Sequence, residues 1–98
     1  MTGAATKITA TDFVCAVSAS VVKAGNNTFA ISNTGKTTTE VDVYGKQNGV
    51  FSKIMGQKKH IGPGTKAALT VNLKAASYEV ACKPGEKGNG VRTKITAQ

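Results

Sequence analysis

The sequence predicts an all-β protein, an antiparallel sandwich with Greek-key links. Apolar and polar residues alternate along most of the chain, turn chemistry returns roughly every 8 to 12 residues, and no helical period lasts beyond a turn or two. The 98 residues are 40% hydrophobic and include three phenylalanines, two tyrosines and no tryptophan, so Val, Ile and Ala must fill the interior. Those β-branched side chains favour a pleated surface. A chain of this length hides roughly 60 to 70% of its unfolded surface. A thin core in one domain spanning residues 1–98 is therefore expected, with no repeat, linker or low-complexity tract.

Thr6 to Ala10 alternates weakly and reads as the first strand, with a break at Thr11-Asp12. Phe13, Cys15, Val17, Ala19 and Val21 then share one parity, which turns Cys15 inward. Lys23 to Asn27 is turn chemistry. Thr28 to Ser32 follows with Phe29 and Ile31 inside, and a hairpin between these two segments is expected. Asn26-Asn27-Thr28 matches the N-glycosylation pattern, which a tight turn explains better. Asn33 to Lys36 turns the chain into Thr37 to Tyr44, where Val41 and Val43 alternate with Glu40, Asp42 and Tyr44. Asn48-Gly49 is the strongest short hairpin signal, and it leads into a short strand from Val50 to Met55. Gln57 to Gly64 carries a proline and two glycines and reads as a long exposed connection. Ala67 to Leu73 alternates again with Leu69, Val71 and Leu73 inside. Tyr78, Val80 and Cys82 fall on the inward face of the next strand, which Pro84-Gly85 stops because proline cannot donate to a ladder. Val91 to Thr96 closes the domain. The expected core is Phe13, Val17, Phe29, Ile31, Val41, Val43, Leu69, Val71, Tyr78 and Val80.

Thirteen Lys and Arg against five Asp and Glu give a formal charge of +8, enough to steer acidic partners at long range. Nucleic-acid binders add stacking aromatics between basic residues, or a reading helix, and neither is present. The charge alone does not choose between acidic proteins and anionic membranes; salt-sensitive association with an acidic partner is expected through Lys58, Lys59, Lys66, Lys83, Lys87 and Arg92, which lie on loops or strand ends and so can gather at one end. No stretch approaches the ~20 apolar residues of a membrane span, and no signal-peptide pattern is present. Met1-Thr2-Gly3-Ala4-Ala5 is small and polar, the character of an N-terminus left after a leader is removed. One histidine, His60, in a lysine-flanked loop leaves no Ser-His-Asp or Cys-His pair, so binding is expected and catalysis is not. Gly88-Asn89-Gly90 precedes no helix and cradles no phosphate. Zinc spacing of the C-x-x-C type is absent.

Both cysteines point inward, near strand ends that border turns. They suit either one disulfide in an oxidising compartment or two ligands of one site, and the two states exclude each other. Cys82, held at the end of a rigid strand before a turn-rich loop, is presented as a metal-binding or redox cysteine often is.

Tyr78-x-x-x-Cys82-x-Pro84-Gly85, with its glycine-containing loop and last strand, resembles the ligand loop of blue-copper proteins and implies a cupredoxin-like sandwich over nearly the whole chain. Those proteins surround the cysteine with two histidines and a methionine. Here Glu40, Glu86 and Gly90-Val91 stand at those places, so a blue-copper electron-transfer site cannot be assembled. A closer resemblance is to the cupredoxin-like domain of EfeO-type bacterial iron-uptake proteins. Asn33-Thr34-Gly35, Thr39-Glu40-Val41, His60-Ile61-Gly62-Pro63-Gly64, Leu69 to Leu73 and Tyr78 to Gly85 are similar to that family's motifs in order. The resemblance implies a periplasmic or secreted domain with a copper or ferric-iron site built from two cysteines and acidic residues. Cys15, Glu40 and Cys82 match those positions, and Glu86 is a further candidate ligand. Lys58, Lys59 and His60 stand where family members carry acidic residues, and the family's helical peptidase-like unit is not in this sequence. By strict parity Glu40 faces away from Val41 and Val43, so it becomes a ligand only if a bulge or strand end turns it inward. The alternative is a structural or adhesive sandwich, bridged by Cys15 and Cys82, whose basic face binds an acidic partner.

Overall fold

Two-residue alternation becomes strand structure through most of the chain in the computed structural model, which describes residues 5–98. Residues 1–4 of the small, polar N-terminal stretch lie outside the described residues. The strands are β1 (Thr6–Ala10), β2 (Cys15–Val17), β3 (Val21–Val22), β4 (Gly25–Asn33), β5 (Thr39–Gln47), β6 (Val50–Ile61), β7 (Lys66–Leu73), β8 (Ala76–Pro84) and β9 (Val91–Ala97). They form a four-stranded sheet, β2-β1-β4-β7, and a five-stranded sheet, β3-β9-β8-β5-β6. Ile8, Phe29, Ile31, Leu69, Val71 and Leu73 from the first sheet meet Val41, Val43, Tyr78, Val80 and Ile95 from the second in one buried cluster. Leu69 and Val71 are buried while Thr70 and Asn72 are exposed, as alternation requires.

The sandwich is as expected, but both sheets are mixed. β1 lies parallel to β4 and β3 lies parallel to β9, while the other pairings are antiparallel. The hairpin expected between the Phe13–Val21 segment and the Thr28 strand does not form. Instead β2 turns back on β1 and β3 crosses to the edge of the other sheet, so β4 pairs with β1 and β7. Phe13 is 84% exposed and leaves the expected core. The cause is local: the Thr11 hydroxyl accepts hydrogen bonds from the backbone N–H of Phe13 (3.1 Å) and Val14 (2.8 Å), folding a turn that breaks the parity running back from Cys15.

Gln57 to Ile61 is the other departure. It continues β6 instead of forming a loop, because Pro63 is the first residue that cannot donate to the ladder and the turn chemistry begins only at Gly62. Lys58, Lys59 and His60 are exposed on a strand at the sheet edge, where lysines discourage pairing with another chain. The β5–β6 hairpin forms at the expected place. Asn48 (φ 54°) and Gly49 (φ 80°) occupy the left-handed region that a two-residue primed turn needs.

Asn33 ties the turn after β4 to the end of β6. Its side chain is 1% exposed, donates from Nδ2 to the carbonyls of Thr37 and Ile61 (2.9 Å each), and accepts from Gly35 N–H (2.9 Å). Asp12 braces the same turn by accepting from the N–H groups of Lys36 and Thr37 and from the Thr37 hydroxyl, which holds its carboxyl below the ordinary value. Asn33→Ala would orphan two carbonyls and one N–H. A loss of about 2–3 kcal/mol is expected, read as a fall in Tm of about 10 °C or more in a thermal melt.

Candidate functional site

β8 places Cys82 on the inner face of the five-stranded sheet, opposite Val41 of β5 and Val91 of β9. Cys15 opens β2 in the four-stranded sheet, opposite Ala10. The two sulfurs are bonded, with Cα atoms 5.4 Å apart, and the bridge joins the sheets across the core with Cys82 wholly buried and Cys15 3% exposed. The expected proximity of the cysteines is met, in the oxidised state.

The other two expected ligands lie elsewhere. Glu40 pairs with Lys83 rather than with Cys82, so strict parity holds and its carboxyl lies on the outer face, away from the bridge. Glu86 sits in the loop after β8 with φ 57° and reaches across to β6. It accepts from His60 N–H (2.6 Å) and pairs with His60 Nδ1 (2.9 Å). The His60 N–H is the first cause of a Glu86 carboxyl held below the ordinary value, with the imidazole adding to it. Cys15, Glu40, Cys82 and Glu86 therefore do not converge on one point. Among the described residues no group of three or more His, Cys, Asp or Glu does so.

What the outer face assembles is an ionic and aromatic cluster. Asp42 is wholly buried, and its carboxylate pairs with Lys83 Nζ (2.8 Å) and accepts from the Tyr44 hydroxyl (3.2 Å). Lys83 also donates to the Tyr44 hydroxyl and lies 4.9 Å from the ring centroid, with the Arg92 guanidinium 4.2 Å from the same ring. Burial pulls the Lys83 pKa down, but hydrogen bonding and charge from Asp42 and Tyr44 outweigh it and leave it raised. Glu40 is pushed above the ordinary carboxyl value, first by burial and then by Asp42 beside it, against the attraction of Lys83 and Lys59. Asp42 Oδ1 is buried without a hydrogen-bond partner, and the Glu40 carboxyl that Asp42 pushes up lies on the same face. The alternation of Glu40, Asp42 and Tyr44 places these three on one face. Lys83 and Arg92 join them through the register of β5, β8 and β9, for which the sequence carries no local signal.

The donor set does not fit the copper that the fold family implies. The one cysteine at the ligand position is bonded to Cys15, and a disulfide sulfur is a poor ligand. The single histidine is engaged by Glu86 on the β6 edge. Where a methionine would close the loop stands Gly90, at φ 74°, whose added Cβ would lie 2.6 Å from the Cys82 carbonyl oxygen.

A two-sheet sandwich with a glycine-rich loop between its last two strands, and a cysteine near the head of that loop, defines a cupredoxin-like domain in which a disulfide holds the cysteine at the ligand position. The sequence matches the Cupredoxin-like domain family over residues 2–97, and the chain belongs to that family. Its fold is similar to that of dithionite-reduced auracyanin from the photosynthetic bacterium Roseiflexus castenholzii, with a TM-score of 0.69 over 94% of each chain at 15% identity. No curated protein matches the sequence.

The raised pKa of Glu40 has a sign. Its contribution to stability is fully present below the ordinary value of 4.5 and is lost as pH rises through the raised folded value. Glu40→Gln keeps the shape of the side chain and removes the charge. Its Tm is expected to exceed the parent's at neutral pH, with the gap closing near pH 4. Melts across that range check it.

Proposed function

We propose that this chain is an extracytoplasmic, disulfide-locked binding domain of the EfeO type, one that serves iron uptake by docking its basic surface to an acidic protein partner and carries out no catalysis. The observation that carries this reading is the Cys15–Cys82 bridge, which takes both thiols at the position a ligand cysteine would hold. A bridge of this kind persists in oxidising compartments, which supports a periplasmic or secreted location. No helix is long and apolar enough to cross a membrane among the described residues. The run of motifs from Asn33 to Gly85 supports the iron-uptake context, and the formal charge of +8 supports an acidic partner.

A second reading keeps the metal. Reduction would free two thiols at one site, and copper suits thiolates better than calcium or magnesium does. Glu40, one residue from Val41 and so beside Cys82 in register, would have to turn inward to join them.

Thiol titration without reductant is expected to give no free thiol. Copper(II) added to that oxidised protein is expected to produce no sulfur-to-metal charge-transfer band and no rise in Tm. Replacing both cysteines by serine should lower stability by ~4 kcal/mol, the chain-entropy value for a loop of this length. A reduced protein that binds one equivalent of copper with a charge-transfer band, lost in Cys82→Ser, would replace this proposal with the metal-handling one.

A further inference from the structure

Four cations gather over two rings on the outer face of the five-stranded sheet. Lys83 and Arg92 lie on Tyr44 at 4.9 and 4.2 Å, and Lys46 and Lys94 lie on Phe51 at 5.3 and 5.9 Å from the centroids. The bend of the β5–β6 hairpin brings them together. Register shifts at Val43/Tyr44 and Gly45/Lys46 accompany a curl of its tip over the sheet, because bulges add local twist. The Phe51 carbonyl consequently accepts from Arg92 Nη1 at 2.8 Å, although β5 and β8 separate β6 from β9. Arg92 is also held by the Asn89 carbonyl at 3.0 Å, which fixes the opposite wall. Between them lies a cleft of about 490 Å³, lined by Tyr44, Val50, Phe51, Ser52, Asn89 and Arg92.

The charges around this cleft do not balance: Arg92 lines it, while Lys83, Lys46 and Lys94 lie beside it over the rings of Tyr44 and Phe51. Asp42 matches Lys83 at 2.8 Å and Glu79 matches Arg92 at 3.2 Å. Lys46 and Lys94 have no carboxylate within ion-pair distance among the described residues. Like charges held close repel, so arriving carboxylates relieve the surplus as well as gain hydrogen bonds. Two cations already lie over each ring, whereas single-stranded nucleic acid is bound by stacking bases on free ring faces. That argues for carboxylates over nucleobases. The volume admits a few side chains, and the apolar wall at Val50, 61% exposed, suits the aliphatic stem of glutamate.

We propose that this cleft binds an acidic, extended segment of a partner protein, seating neighbouring carboxylates on Lys46 and Lys94. The inference rests on the docking function proposed above and names the surface that performs it. Fluorescence anisotropy of a labelled oligoglutamate peptide, at low and at physiological salt, tests it on the oxidised protein. Lys46→Glu with Lys94→Glu is expected to weaken binding about tenfold or more. The same charge change at Lys7 and Lys23, away from the cleft, should weaken it far less, and Phe51→Ala, which removes the ring beneath both lysines, should fall between. The alanine pair at positions 46 and 94 should lose affinity in the same direction, and serves if charge reversal disturbs folding. Equal weakening by the two double reversals would overturn the cleft and leave only a net-charge effect. Tighter binding of a single-stranded oligonucleotide of equal charge, lost on the same cleft substitutions, would overturn the choice of occupant. Failure of the unaltered protein to bind the peptide even at low salt would instead bring down the docking function itself.

Discussion

The bond between Cys15 and Cys82 is the constraint on which the other features lean. A sandwich whose interior is built from valine, isoleucine and leucine around one buried phenylalanine has modest apolar area to hide, and small domains keep a net stability of only about 5–15 kcal/mol. A covalent tie between the sheets supplies a substantial share of that. It also fixes one end of β8, setting Val41 and Val91 beside Cys82 and holding the strand whose next outward residue is Lys83. It occupies both sulfurs, and the other marked feature of the chain is its positive charge.

That charge is organised from the inside. β5 is buried from Thr39 through Gly45, including the residues that face outward, because neighbouring long side chains and the curled hairpin cover it. A buried ion pair such as Asp42–Lys83 is weak evidence for stability, since desolvation offsets much of the attraction. Its effect here is positional. Asp42 holds Lys83 against Tyr44, Glu79 holds Arg92 over the same ring, and the cationic groups are thereby kept in place on the sheet rather than free in solvent.

The inner faces were legible because a period of two is a local property: Phe29, Ile31, Val41, Val43, Leu69, Val71, Tyr78 and Val80 are all buried. The same rule placed both cysteines inward and Glu40 outward. It failed at Phe13, where one hydroxyl folding back on the backbone shifts the count, and at Val21, which is half exposed while Val22 is buried; the loop expected over Gln57 to Gly64 rested instead on its proline and glycines, and there the strand runs on to Ile61. Parallel pairing of β1 with β4, and the meeting of Lys83, Arg92 and Phe51 over one face, depend on contacts between distant segments. No pattern within either segment encodes them. The ligand quartet read from family resemblance was legible as a set of positions but not as a place, because Glu86 finds His60 and Glu40 finds Asp42.

Gly90 bears on how this domain relates to copper-carrying members of its fold. At φ 74°, with its missing side chain 2.6 Å from a backbone oxygen, the position tolerates glycine alone at the present loop length. Restoring histidines and a free thiol would therefore still leave no room for an axial side chain there. A side chain reaching inward from this place would need a longer loop between β8 and β9, an insertion and not a point change.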